Sequence, residues 1–205
     1  RDVEMPHAEI VSASTPSLTA VLFGLSGCLV DFGSQARADS APSSDTHATV
    51  GALKILRSLE EQRVPCAWLD ELPASVSTPL AAGLPRWIKA AKPSSTRWPA
   101  PHACWQALME LNIERLEGCV LVSGEPRLLQ SGLNAGLWTI GLASCGSLCG
   151  LSPQQWQALS EKEREHKRAK ATVALYGLGV HSVIDHLGEL QTCLADISLR
   201  QLKGE

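Results

Sequence analysis

Residues 20–30 read AVLFGLSGCLV, a continuous apolar run broken in its middle by two glycines and a serine. Its first part, Thr19 to Phe23, has strand composition, and Gly24-Leu25-Ser26-Gly27-Cys28 follows as a loop. Eleven residues are too few to cross a bilayer, which needs about 20 apolar positions. Nor does the run read as a secretory h-region. The segment before it carries Asp2, Glu4 and Glu9 with Arg1 as its lysine-or-arginine complement, the opposite of a basic n-region. A cytoplasmic protein with no membrane partner is expected.

Outward from this run, short strand-like stretches alternate with helical windows. Cys66 to Leu69, Trp87 to Lys89, Cys119 to Val122, Trp138 to Leu142 and His181 to Ile184 read as further strands. Between them Ala52, Ile55, Leu56 and Leu59 fall at i, i+3, i+4 and i+7, as do Cys104, Ala107, Leu108 and Leu111. Pro101 and Pro126 suit first-turn positions, and Gly136 follows Leu128 to Ala135 where a left-handed residue ends a helix. Ser152-Pro153-Gln154-Gln155 and Ser160-Glu161-Lys162-Glu163 read as two capping boxes, and Leu187, Leu190, Leu194 and Ile197 as a closing helix. Strands alternating with helices predict an α/β class, a Rossmann-like three-layer α/β/α core on a mainly parallel sheet.

The chain has 205 residues, 18 basic and 21 acidic, with a net charge of −3. That length fits one domain, expected over 18–205 after a flexible segment 1–17. Near-balanced charge without a basic block offers no footprint for nucleic acid or an anionic membrane. The charged start of the helix at 161, EKEREHKRAK, interleaves acids with bases and reads as a solvated face. Seven cysteines without a C-x-x-C spacing argue for reduced thiols, not for a disulfide framework or a zinc site.

In an open α/β sheet, ligands bind beyond the carboxyl ends of the strands. The candidates there are Gly24, Leu25, Ser26, Gly27 and Cys28 after the first strand, Asp70 and Glu71 after the second, Arg97 and Trp98 before the helix near 101, and Ser123, Gly124 and Glu125 after the fourth. Ser34 to Thr49 and Ser94 to Ala100 lack periodicity and read as surface loops. Gly24-Leu25-Ser26-Gly27 also follows a strand as a nucleophile elbow does, although position 28 is cysteine where that motif needs glycine.

AVLFGLSGCLVDFGSQA at 20–36 resembles the first motif of phosphonoacetaldehyde hydrolases, the phosphonatases of the haloacid dehalogenase-like superfamily, which reads approximately AVIFDWAGTTVDFGS. RWPAPHACWQALMELNI is similar to that family's RPAPW segment, and SGLNAGLWTIGLASCGSLCGLSPQQWQAL through VIDHLGEL to its C-terminal third. The resemblance implies a phosphoryl-transfer ancestry: an aspartate nucleophile after the first strand, a magnesium ion, and a Schiff base from a lysine of an inserted helical cap. Carried across position by position, the nucleophile falls on Gly24 and the threonine of the first motif on Cys28. The second-strand hydroxyl falls on Asp70, the basic residue on Trp98 beside Arg97, and the metal-binding aspartate of VGDT on Gly124 beside Glu125. The cap's place is taken by the 16 residues Ser34 to Thr49, which hold no lysine; Lys54 is the first in the chain.

These departures lead to the expectation of a pseudoenzyme without a cap, a catalytic residue or a cofactor, acting by binding a small ligand or a protein partner. At Gly24 and Gly124 the small residues either fill vacated space or leave a wider pocket ringed by the N–H groups of Leu25, Ser26 and Gly27, fit for an anion. The alternative is a weak magnesium-dependent phosphatase in which Asp70 and Glu125 hold the Mg2+ from new positions, with Arg97 as electrophilic partner. The resemblance also implies a homodimer, assembled in the family partly through the cap.

Overall fold

A computed structural model describes residues 18–38 and 45–205 of the chain. The expected flexible segment 1–17 and the centre of the 34–49 loop lie outside the described residues. Among the described residues six strands form one parallel sheet: β1 (Ala20–Gly24), β2 (Cys66–Leu69), β3 (Lys89–Ala90), β4 (Cys119–Ser123), β5 (Trp138–Leu142) and β6 (Ser182–Ile184). Their spatial order is β3-β2-β1-β4-β5-β6. The chain winds outward from β1 in one direction, then returns to β4 and winds in the other. The crevice between β1 and β4 is therefore the topological switch point, where such sheets bind ligands.

Period-2 alternation divides each central strand between two cores. Val21, Phe23, Val120 and Val122 face one side, with the buried faces of α1 (Ala52–Glu61) and α7 (Leu190–Leu202). Ala20, Leu22, Cys119 and Leu121 face the other, with Cys104, Ala107 and Leu108 of α3 (His102–Glu110) and Leu128 of α4 (Pro126–Asn134). A satellite cluster joins Leu129 to Ala171 and Leu175 of α6 (Glu161–Gly177). Each fully buried leucine contributes about 1.5–3 kcal/mol relative to exposure. This is the expected three-layer α/β/α arrangement.

The structure corrects several local expectations. The third strand is only Lys89–Ala90, because Ile88 turns into the core before the ladder with β2 begins. A helix the periodicity did not predict, α2 (Ala74–Ala81), contains Pro79 and buries only Ser77 and Leu80, so neither propensity nor an apolar stripe announces it. The box at Ser152 is reciprocal and opens α5 (Pro153–Ala158). At Ser160 the Glu163 N–H donates to the serine Oγ, but the Glu163 carboxylate takes that hydroxyl and not the backbone N–H. Trp105 on α3 is 42% exposed and spends its indole N–H on the Ala135 carbonyl. Gly136 takes φ 84°, as its place after α4 requires.

Candidate functional site

The register Gly24↔Leu69 between β1 and β2 sets Asp70 beside the loop that follows β1. On the other side β4 delivers Ser123 and Gly124. The two glycines at the positions where the resemblance implies carboxylates differ sharply. A Cβ on Gly24 would lie 3.1 Å from the Ser123 Oγ and 3.4 Å from a Leu128 methyl, side-chain atoms that need give way by only a few tenths of an ångström. One on Gly124 would lie 2.3 Å from the Cys145 carbonyl oxygen, 2.4 Å from that of Gly27 and 2.7 Å from the Gly146 Cα. Main chain, not a pocket, fills the space at Gly124. Ser123 Oγ accepts the Glu125 N–H at 2.9 Å and so ties down the turn into α4.

Two N–H groups of the β1 loop, those of Ser26 and Gly27, are engaged within the chain. Gly27 N–H donates to the carbonyls of Val30 and Asp31, at 2.9 and 2.8 Å. Ser26 N–H donates at 3.0 Å to Asp70 Oδ2, which also accepts from Arg37 Nη2 at 2.7 Å, while Asp70 Oδ1 accepts from the N–H groups of Glu71 and Leu72 at 2.7 and 3.1 Å. The Asp70 side chain is only 1% exposed. A carboxylate of the chain itself thus sits on a backbone donor that would otherwise serve an external anion.

Arg37 is the functional-looking residue that sequence reasoning missed. It ends a 3-10 turn, Gln35–Arg37, in the stretch read only as surface loop. Asp31, buried and at φ 51°, holds this turn: its carboxylate accepts from Gln35 N–H at 3.0 Å, Ala36 N–H at 2.9 Å and the Ser26 hydroxyl at 2.7 Å. So placed, the Arg37 guanidinium pairs with Asp70, stands 3.4 Å through Nε from Glu125 Oε2 without hydrogen-bond geometry, and lies 5.5 Å from the Trp98 ring centroid. Asp70 and Glu125, the two carboxylates considered for a metal ion, converge on this one internal cation.

Arg97 does not join them. Its side chain is 75% exposed and its Nε lies 3.5 Å from Glu71 Oε2. Glu71 also pairs with Arg127 and accepts the Trp98 N–H at 3.2 Å, while Arg127 donates to the Trp98 carbonyl. Trp98 itself is 3% exposed and packs with the α3 side of the core. Cys28 is buried, with its Sγ donating to the Val122 carbonyl at 3.5 Å. Burial, then the Asp70 charge, push its thiol far above the ordinary range, and burial does the same to Cys145. Cys28 is therefore a neutral thiol, and Ser26 spends its proton on Asp31; neither is an activated nucleophile. Bordering these residues, a depression of about 170 Å³ opens at the ends of β2 and β3, lined by Asp70, Glu71 and Trp98 together with Lys92, Thr96 and Arg97.

The residues present do not fit a magnesium ion. Position 24 has no carboxylate, position 124 has no room for one, and Asp70 has its oxygens engaged by four donors. Among the described residues no group of three or more His, Cys, Asp or Glu is placed to hold a metal. No helix among them is long and apolar enough to cross a membrane.

No protein-family model matches the chain. Among curated proteins it is 30% identical over 161 residues to the phosphonoacetaldehyde hydrolase of Bordetella pertussis, a match covering 76% of this chain and 58% of that enzyme. The chain spans about half the length of the curated relatives it matches. Among solved structures, one crystal structure is 64% identical with a TM-score of 0.90, the match covering 92% of this chain and 99% of the other. A phosphonoacetaldehyde hydrolase like protein from Oleispira antarctica shares the fold at a TM-score of 0.82 and 19% identity, with 98% and 99% covered. By sheet order and these likenesses, the chain has the α/β fold of haloacid dehalogenase-like proteins and counts phosphonoacetaldehyde hydrolases among its homologues.

Proposed function

We propose that this chain is a non-catalytic, phosphonatase-like protein without a cap, whose former reaction centre is occupied by its own side chains and which acts by binding a small molecule or a partner protein. The observation that carries this reading is the Asp70–Arg37–Glu125 arrangement: a guanidinium lies between two carboxylates, and one of those carboxylates lies on the Ser26 N–H. Internal groups stand in for both the cation and the anion of phosphoryl transfer. Removing a nucleophile alone costs on the order of 10⁴ to 10⁶ in rate. Losing the metal's charge stabilisation as well leaves the reaction class without its main source of acceleration.

The cap reading rests on length. Sixteen residues between Ser34 and Thr49 cannot supply a helical domain, and they include no lysine for a Schiff base. The phosphatase alternative, with Mg2+ on Asp70 and Glu125, is weakened by Arg37, which both carboxylates already face. The test is phosphate release from phosphonoacetaldehyde and from aryl phosphates with millimolar Mg2+. The proposal expects no release above buffer. Magnesium-dependent release that disappears in Asp70→Asn would overturn it.

A further inference from the structure

We infer that α3 and the segment leading into β4 form a self-complementary interface, on which a second copy of this chain docks about a two-fold axis. A groove of about 350 Å³ runs there, lined by Trp105, Leu108, Met109 and Leu116 with Glu114 and Arg115 beside them. Three of these apolar side chains are open to water, Trp105 at 42%, Met109 at 67% and Leu116 at 46%. Apolar exposure gathered in one groove marks an interaction site, whereas exposed residues scattered singly do not. Trp105 is also pre-set for docking. Its indole N–H is held by the Ala135 carbonyl at 3.1 Å, so the ring has no polar group to strip of water and little rotamer freedom to lose. Tryptophan, methionine and arginine are among the residues enriched at interfaces.

The charges decide which partner fits. Glu114 and Arg115 are exposed neighbours outside any helix or strand, and among the described residues neither side chain makes a hydrogen bond or an ion pair. Glu110, the carboxylate carried by α3 itself, is turned onto the Lys92 N–H and the Gln106 amide. An acid next to a base is complementary to itself: a two-fold axis beside this segment runs the two copies antiparallel and sets each carboxylate against the guanidinium of the other. The groove lining carries one acid and one base, so two copies of a chain of net charge −3 meet where repulsion is least. Leu116 lies just before β4, on the side of the amino ends of the strands, and a copy docked there needs no cap.

The inference goes beyond the proposed function and does not depend on it, because no residue of the groove lies at the β1–β4 crevice. The test is sedimentation velocity of the full chain between about 1 and 200 µM, where the mass is expected to rise from one copy to two with a Kd of about 10 µM. Met109→Glu weakens the dimer about tenfold or more. Glu114→Arg and Arg115→Glu, which set like charges across the axis, each weaken it about tenfold, and the double reversal restores it to within about threefold of the parent. All three positions are exposed, so the fold is kept, and circular dichroism checks it. A monomer at every concentration would overturn the inference, as would a dimer that Met109→Glu leaves intact or a double reversal no better than the single ones.

Discussion

The carboxyl end of the sheet has two halves. Between β1 and β4, where the strand order reverses, donors and acceptors are spent on one another: Asp31 holds the turn that carries Arg37, Arg37 meets Asp70 and Glu125, and Gly124 is wedged against Gly27, Cys145 and Gly146. Beyond β3 the loop is open: Lys92, Thr96 and Arg97 are exposed, and its contacts, such as the Lys92 N–H on the Glu110 carboxylate and Arg97 on Glu71, lie at the surface. At the switch point paired charges and close-packed main chain leave little freedom, whereas the adjacent edge is exposed.

The comparison can be broken by substitution. If main chain fills the space at Gly124, then Gly124→Ala destabilises by more than about 3 kcal/mol, since overpacking against backbone has nowhere to relax. Gly24→Ala costs no more than about 1 kcal/mol, because the nearest atoms are side-chain ones and the Ser123 hydroxyl need shift only slightly, keeping the Glu125 N–H. Urea denaturation of both variants reads the difference; equal costs would mean that the two glycines are alike. Arg37→Ala comes next. It strips the cation from a buried carboxylate, which costs about 3 kcal/mol, and Arg37→Lys restores only part because an ammonium cannot span Asp70 and Glu125 as a fork does. A loss under about 0.5 kcal/mol in Arg37→Ala would show that the pair is a surface contact.

A smaller effect comes from the opposite end of the sheet, where His181 Nδ1 accepts the Thr139 N–H at 3.1 Å and its ring packs at a tilt against Trp138, centroids 4.4 Å apart. Burial, then the Arg200 charge, hold its pKa below the ordinary 6.5. The unfolded chain therefore binds this proton first, and stability falls as pH drops through about 6.5, levelling off once the folded histidine is protonated too. Thermal denaturation between pH 5 and 8 should show the decline, and His181→Gln should lack it. The smallest effect belongs to Arg97→Ala: an exposed pair to Glu71 is worth within about 0.5 kcal/mol, so its denaturation midpoint should match the parent. A large loss there would place Arg97 in the closed half.

Much of this was legible in the residues. The continuous apolar runs of β1, β4 and β5, and the i, i+3, i+4 stripe of α1, survive as expected because burial on a central sheet leaves them no alternative. Gly24, Asp70, Gly124 and Glu125 do gather at one crevice, as strand-end reasoning predicts. Arg37 and Asp31 were not legible. Their roles depend on a left-handed residue starting a 3-10 turn and on the register that brings Asp70 to Ser26 across 44 positions. Neither leaves a spacing or a composition signal. Arg97 was misplaced for a related reason: adjacency in sequence to the site's Trp98 does not say that the two side chains point the same way, and here one is buried and the other exposed.

The central claim is that Arg37 holds the place a metal ion would take. The most direct measurement is a manganese titration of the 15N-labelled chain, reading paramagnetic broadening of backbone amides. The account predicts that the signals of Ser26, Asp70 and Glu125 stay sharp through millimolar Mn2+. Selective broadening of those three at sub-millimolar Mn2+ would contradict it, because a divalent ion would then be displacing Arg37 from its carboxylates.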